Sequence, residues 1–583
     1  MFCRLLAALA ISAAFSAAQT ACAPIPQFTP CDLVFELPEA AGNVDIRAEF
    51  RSPRAQTALV HAFEDGPRRW IVRFTPIEIG TYAWRVTSRV AQFNGKQGEL
   101  TVTPAAAKKT GWLRAANLHH FADVEGNAIS PHLWMGALVP GFAAMDAGQW
   151  QQLVATRARQ HFNHLGVTLV DESAGGESSA ARFQAPEFFR AAEEKIRAAN
   201  AAGIVVDIAF FSGNQLMRRL LPARADREKW LLLAVSRLAA FDVTWQGAER
   251  WESGDDGRQL MKEIGELVTS LDPYKHPRST RTALTTGPLA DDGWLRYRSY
   301  ETGDDAVTAI EQQVFQYPSV NNFATATMDA DSFRHRLWNA TVNGNYPAPV
   351  IPNEQAAAAM KLWYEFMQST RHWELEPFFD TSVGRGLALE GIEYIIYLDK
   401  PGPVTVNYEK HSYDGEWWNP GTGQTVKIKD VKGESFTGTP PDLTHDWVLH
   451  ISREGTKAGM LKSVKFDSRE QPAELQQIES DPAKVPFDVV EPSAAELSLS
   501  RPARFEVKLK RQSKALERML YEWTAEVTAD GRSYRVAGTG ASGTLNIPAD
   551  ITGTYPAALH LRVFGMNALG KVYSVDRNYT ITK

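Results

Sequence analysis

The sequence predicts a multidomain chain, a (β/α)8 TIM barrel flanked by an N-terminal β-sandwich and C-terminal β-domains. Three observations predict it. At 583 residues the chain is too long for one core, and roughly three or four domains are expected. From about residue 110 to 380, short apolar runs alternate with helical patterns, the texture of a mostly parallel sheet. On both sides, short β-like runs are separated by Gly, Pro, Asn and Asp, as in antiparallel sandwiches.

The first residues, "MFCRLLAALAISAAFSAAQTACAP", carry Arg4 and then an apolar run from Leu5 to Ala18. Ser16-Ala17-Ala18 fits a signal-peptidase site, so residues 1–18 read as a signal peptide and the mature chain starts at Gln19. A secreted or periplasmic location follows. Attachment as a lipoprotein through Cys22 is the weaker alternative, because "QTAC" lacks the usual leucine. Cys22 and Cys31 remain after cleavage and are free to form one disulfide in an extracytoplasmic space. No later run approaches the ~18 apolar residues of a membrane span.

Residues 32–104 hold "LVFELPE", "VDIRAEFRS", "RRWIVRFTP", "GTYAWRVTS" and "GELTVTP", a small antiparallel sandwich. Across 108–380 the strand candidates are "HLWMGAL", "HLGVTLVDE", "GIVVDIAFF", "FDVTWQG", "RSTRTALT", "WLRYRSYE", "SVNNFAT" and "NATVNG". Helical patterns such as "APEFFRAAEEKIRAANAAG" and "GRQLMKEIGELVTSL" lie between them. Eight such units in about 270 residues match the size of a (β/α)8 barrel. The competing doubly wound sheet lacks support, because no glycine-rich phosphate loop follows the first strand. Residues 381–453 return to β texture, 454–485 form a polar linker, and 486–583 read as a second sandwich, either a glycan-binding module or a spacer.

The formal net charge of -6 gives no basic footprint, so nucleic acid is not an expected partner. The 16 Trp and the many acids suit sugar binding. His161 and His164 lack a third ligand for zinc, no G-x-S-x-G elbow appears, and no cofactor or metal is expected. "DADSF" has only the start of a calcium loop. His119-His120 read as support for the loop entering the first strand, and Trp417-Trp418 as core of the small β-domain.

One stretch, "TWQGAERWES" at 244–253, sets Glu249 between Trp245 and Trp251 at the end of the fourth strand. A carboxyl desolvated between large apolar rings tends to stay protonated, as a proton donor must.

Several motifs together resemble a known family. "FELPEAAGNVDIRAEFRSP…RRWIVRFTPIEIGTYAWRVTS" resembles the N-terminal β-sandwich of unknown function that precedes apiosidase-like glycoside hydrolase barrels. "AVSRLAAFDVTWQGAERWE" and "GELVTSLDPYKHPRS" are similar to strand 4 and the approach to strand 5 of those barrels. "EWWNPGTGQ…DWVLHI" resembles the candidate collagen-binding β-domain that follows them. The resemblance implies a retaining glycosidase, with an acid/base Glu ending strand 4 and a nucleophilic Glu ending strand 7, about 5–5.5 Å apart. It places Glu249 as the acid/base, with Ala248 where relatives carry Asn or Gly. Glu252 is a nearby alternative for that role, more readily read as a solvated residue at a helix start. At strand 7, Val320-Asn321-Asn322-Phe323 puts Asn322 at the nucleophile position, and an amide cannot form the usual glycosyl ester. Arg281 stands on strand 5 where relatives often carry His.

Substitutes for the missing carboxylate are Glu301 after strand 6, Glu311 before strand 7 and Glu354 after strand 8, each also readable as a surface residue. Substrate-binding candidates at strand ends are Trp134, Asp171, Glu172, Trp245 and Tyr300. Two functions are thus expected from different classes. One is hydrolysis of glycosidic bonds in a complex polysaccharide; the other is non-catalytic glycan or matrix binding on a degenerate barrel, with glycan or matrix contact through the terminal β-domains.

Overall fold

The structure, a computed structural model, describes residues 24–39, 44–105, 111–125, 128–172, 181–252, 257–290, 292–383, 385–453, 478–498, 502–513, 516–529, 532–546 and 555–582. The signal peptide expected at 1–18, Cys22 and most of the 454–485 linker lie outside the described residues. The chain divides into two compact units. The first comprises Met1–Lys108 with Leu232–Ala240, and the second Lys109–Leu231 with Phe241–Lys583.

In the first unit, alternation of apolar and charged residues sets the sheets. Ile46, Ala48 and Phe50 are buried while Glu49 and Arg51 are exposed, the period of a strand with one face covered. Ile46–Arg51 lies inside a five-stranded sheet with Ile25–Pro26, Gln97–Thr103, Gly80–Ser88 and Thr57–His61. A second sheet joins Cys31–Glu36, Arg69–Phe74 and Phe63–Glu64. Phe50 stacks on Phe74 with ring centroids 3.9 Å apart, which ties the two sheets together. Cys31 is disulfide-bonded. Arg237, fully buried in this unit, donates to Asp65 at 3.0 Å.

The second unit opens with an antiparallel sheet of Trp112–Ala116, His120–Glu125 and Ala128–His132. Residues expected to form an entry loop around His119-His120 are thus partly strand. His119 and His120 both bind Glu376, at 2.7 and 3.3 Å.

Parallel pairing then runs through Gly136–Leu138, His164–Val170, Val205–Phe211 and Val243–Ala248 to Arg278–Ser279. After Thr280 the fifth strand resumes as Arg281–Thr282, and pairing continues through Arg298–Tyr300 and Ser319–Asn321 to Asn345–Pro347. Leu138 pairs in parallel with Val350, so the pairing returns from the eighth strand to the first.

The third and fourth strands are buried at every position, as parallel strands covered on both faces are. Helices including Pro186–Ala201, Gly257–Leu271 and Asp305–Val314 lie between strands. In the second of these, a Cβ on Gly265 would sit 2.1 Å from the Trp294 ring; glycine lets the helix approach that ring. The expected eighth strand at 339–344 is corrected. "NATV" ends helix Ala330–Val342 and the strand follows at Asn345–Pro347. The β-branched Thr341 and Val342 suggest a strand, yet both are buried on the helix's apolar face. Asp329 of "DADSF" caps that helix by accepting from Ser332 N at 2.8 Å, which replaces the calcium-loop reading.

Beyond residue 375 come a six-stranded antiparallel sheet, Glu376–Phe378 to Trp447–Ser452, and a two-sheet sandwich from Phe487 to Thr582. The sandwich is not a detached module. Phe564, Met566 and Val572 share one apolar core with Ile310, Val314 and Phe315 of helix Asp305–Val314 and its C-cap.

Candidate functional site

The C-terminal ends of the fourth, fifth, sixth and seventh parallel strands are knitted by backbone bonds. Glu249 N donates to Phe211 O, Arg250 N to Arg281 O, Glu301 N to Thr282 O and Asn322 N to Tyr300 O. Glu249, Arg281, Glu301 and Asn322 therefore stand on one rim. This is the end of a parallel sheet where side chains leave the core and where active sites of such folds occur.

At the rim, Glu249 Oε1 accepts from Thr168 Oγ1 and from Arg281 Nη1 at 2.5 Å. Its side chain is 15% exposed and that of Arg281 only 5%, so the pair is largely desolvated but still reachable. Among the described residues, Arg281 Nε and Nη2 have no hydrogen-bond partner, which leaves two donors of the guanidinium beside the carboxylate.

The expected aromatic setting of Glu249 is corrected. Trp245 is buried, stacks on Phe210 and donates to Asp272 at 2.9 Å. Trp251 is also buried and lies under the Arg535 guanidinium. The hydrogen-bond partners of the carboxyl are the Thr168 hydroxyl and the Arg281 guanidinium.

Immediately after Glu249, Arg250 takes a φ of 49°, a left-handed conformation costing about 1 kcal/mol for a non-glycine residue. That turn sends the Arg250 side chain to Glu301 at 3.2 Å and brings Glu252 inward. Glu252 was expected to be solvated and is not. One oxygen accepts from Ala283 N at 2.8 Å and Leu284 N at 3.4 Å, and the other is buried without a partner among the described residues. Burial pushes its pKa up to about 7; its backbone hydrogen bonds oppose the rise and the nearby Glu301 charge adds to it. No pattern in "ERWES" separates Glu252 from a solvated neighbour. Its burial comes from the fifth-strand loop at 283–284, distant in sequence.

The remaining candidates scatter. Asn322 is buried, and its amide donates to Ser299 Oγ at 2.8 Å and Tyr300 O at 3.0 Å; its N–H groups serve the sixth strand. Trp134 is buried and stacked on His164 with centroids 3.4 Å apart. Tyr300 is fully buried, with its hydroxyl on Glu311. Neither ring, nor that of Trp245, has a face for a sugar. Asp171 is partly buried just beyond the second strand, and Glu172 is exposed and pairs with Arg219 at 3.4 Å. Glu354 is the exposed first residue of helix Glu354–Gln368, a favourable place for an acid at a helix start, and it accepts from Gln160 Nε2 at 3.1 Å. Glu311, readable as a surface acid, is fully buried.

His164 belongs to a buried polar chain. It contacts His132 at 2.9 Å and Asp207 at 2.9 Å, and Asp207 accepts from Thr244. His161 is apart from it, beside Glu365. Among the described residues, no group of three or more His, Cys, Asp or Glu is arranged to hold a metal ion.

Comparison with known proteins bears on the fold. A family model described as a domain of unknown function, DUF5060, matches residues 24–89. No curated protein sequence matches the chain. Among solved structures, a candidate glycoside hydrolase from Bacteroides vulgatus ATCC 8482 aligns with a TM-score of 0.60 at 16% identity, covering 74% of this chain and 99% of that one. A family 5 glycoside hydrolase from the same organism aligns with a TM-score of 0.49 at 11% identity, covering 59% of this chain and 93% of that one. The first of these likenesses shows that the chain has a glycoside hydrolase-like fold.

Proposed function

We propose that this protein is a secreted glycoside hydrolase that cleaves glycosidic bonds of a polysaccharide at the rim of a (β/α)8 barrel. The observation that carries this reading is the trio of carboxyls Glu249, Glu252 and Glu301 on loops after the fourth and sixth strands, one of them titrating near neutrality. The parallel pairing that returns through Leu138 and Val350 supports the barrel, and the expected signal peptide supports secretion. The resemblance to apiosidase-like hydrolases supports the substrate class.

Glycoside hydrolysis needs one carboxyl that carries a proton to the leaving oxygen and one charged carboxylate on the anomeric side. Glu249, ion-paired to Arg281, serves as the charged member. The proton-donor role first assigned to Glu249 passes to Glu252, whose carboxyl, desolvated by burial, holds a proton near neutral pH. Glu301 opposes ionisation of Glu252 by its charge. Asn322 does not react; it fixes the seventh strand end against the sixth. Trp417 and Trp418 are both buried, which supports a bracing rather than a collagen-binding role for the small β-domain.

The test is reducing-sugar release from a panel of plant and bacterial polysaccharides. Glu249→Gln and Glu252→Gln are each expected to lower the rate by about a thousandfold. Release that survives both substitutions sinks the assignment. A second reading, a glycan-binding protein without catalysis, is favoured by one observation: an amide, Asn322, stands at the expected nucleophile position. Polysaccharide retention without any release decides for it.

A further inference from the structure

Away from the rim trio, another pair of acids is buried where the C-terminal sandwich meets the parallel-strand region. Glu311, on helix Asp305–Val314, and Glu522, on strand Leu520–Ala529, are 0% and 1% exposed. Both reach the same hydroxyl, Thr285 Oγ1; Glu522 Oε1 is 2.9 Å from it and Glu311 Oε1 is in hydrogen-bond contact. A threonine hydroxyl has one hydrogen. It can donate to only one of two carboxyls, so the other must bring its own.

The surroundings decide which. Besides Thr285, Glu311 accepts from Thr286 N at 3.1 Å, Gly287 N at 3.2 Å, Thr286 Oγ1 at 2.6 Å and the Tyr300 hydroxyl. Such a set of donors suits a charged carboxylate. Among the described residues, Glu522 has no donor besides Thr285, and its second oxygen has no hydrogen-bond partner. The chain therefore runs from the Glu522 O–H to Thr285 Oγ1, and from the Thr285 O–H to Glu311.

The same sandwich grips the two loops that carry the rim carboxyls, after the fourth and sixth strands, and the fifth-strand loop between them that binds Glu252. Arg535 lies over the Trp251 ring, 5.4 Å from its centroid, after the fourth strand. Glu522 takes Thr285 after the fifth strand. Thr539 Oγ1 donates to Asp304 at 2.6 Å after the sixth. We propose that the C-terminal sandwich is a proton-dependent clamp on the rim, with Glu522 and Arg535 as positioning residues and a proton held on Glu522 as the condition for docking.

Glu522 is faced by Glu311 and, farther off, by Asp304; Tyr300 reaches it only through Glu311, and Arg298 contacts Tyr300 at 3.1 Å. The adjoining cleft is lined by Arg258, Glu526, Arg535, His560, Arg562 and Asp576. These pair among themselves, Arg535 with Glu526, and both Arg562 and His560 with Asp576, each at 2.9 Å. Burial first, then the Glu311 charge, pushes the Glu522 pKa well above the ordinary carboxylate range. A carboxyl raised in the docked state stabilises docking fully below its free pKa, and that contribution is lost as pH rises through the docked value.

The clamp calls on the reading of the rim as catalytic only for its purpose. Its test needs no substrate, so the two can fail separately. Hydrogen exchange of the full chain, corrected for the intrinsic chemical rate, is followed at 249–252, 283–287 and 301–304 from about pH 5 to about pH 10. In the wild type, protection of these loops is expected to fall about tenfold at the alkaline end, while Glu522→Gln, neutral at every pH, keeps it. Parallel profiles for the two proteins overturn the proposal. A second measurement covers a variant that folds poorly: the infrared band of a protonated carboxyl, present in the wild type at neutral pH and missing from Glu522→Gln. Absence of that difference band also overturns it.

Discussion

An arginine paired to a carboxylate at the end of the fourth strand sets the chemistry of the rim. Arg281 and Glu249 are both largely buried, so removing one partner strands the other. Arg281→Ala is expected to lower stability by about 3 kcal/mol, read from urea unfolding. Glu252 makes an opposite kind of prediction. Its pKa rises from 4.5 to about 7 in the folded chain, so its contribution is full below 4.5 and lost as pH rises through about 7. Glu252→Gln should therefore match the wild type in acid and exceed it in alkali by up to about 3 kcal/mol, measured by thermal unfolding across pH. If Glu252 is the acid, activity falls through the same pH window, and a rate that stays flat there removes it from the mechanism. The sequence led to Glu249, because a strand followed by a lone acid is a local pattern. It offered Glu252 only as a neighbouring alternative read as solvated, and led neither to its burial nor to the Arg281 contact, because both depend on loops brought together from residues some thirty positions apart.

Among the elements, the sheet of the small β-domain has an internal charge device. His450, on strand Trp447–Ser452, places one ring nitrogen 2.8 Å from Glu393 and the other 3.2 Å from Glu416. Burial opposes its charge, but the two carboxylates prevail and raise its pKa to about 9. The stabilisation is full below 6.5 and is lost as pH rises through about 9. His450→Gln should lower the melting temperature near pH 7 and lose that effect near pH 10. Strands with regular alternation, such as Ile46–Arg51, were legible from the sequence. "NATVNG" was not, because β-branched residues fit both a strand and the buried face of helix Ala330–Val342, and only the packing chooses. Trp134, Trp245 and Tyr300 show the same limit. Large rings at strand ends suit a cleft or a core, and here all three are buried.

At the scale of the whole chain, the order of β and α/β regions could be read directly, whereas the part played by the last hundred residues could not. A spacer was as good a reading as any until the apolar core shared by Phe564, Met566 and Val572 with Ile310, Val314 and Phe315 came into view. A chain ending at residue 453 would expose that apolar patch and leave Glu311 without its cover. It should melt at least several degrees lower than the full chain and aggregate on heating, followed by calorimetry and light scattering; unchanged melting would argue that the sandwich contributes nothing to the fold. The shared core has a consequence for how such chains can be recombined. The sandwich has its own interior, around Phe505, Leu545 and Leu561, but a module that also shares a second apolar cluster with a helix of the parallel-strand region is not a cassette. Moved alone onto a different protein, the sandwich would arrive with Phe564, Met566 and Val572 bared where helix Asp305–Val314 belongs, and shuffling at residue 485 would split a shared core rather than join two independent ones.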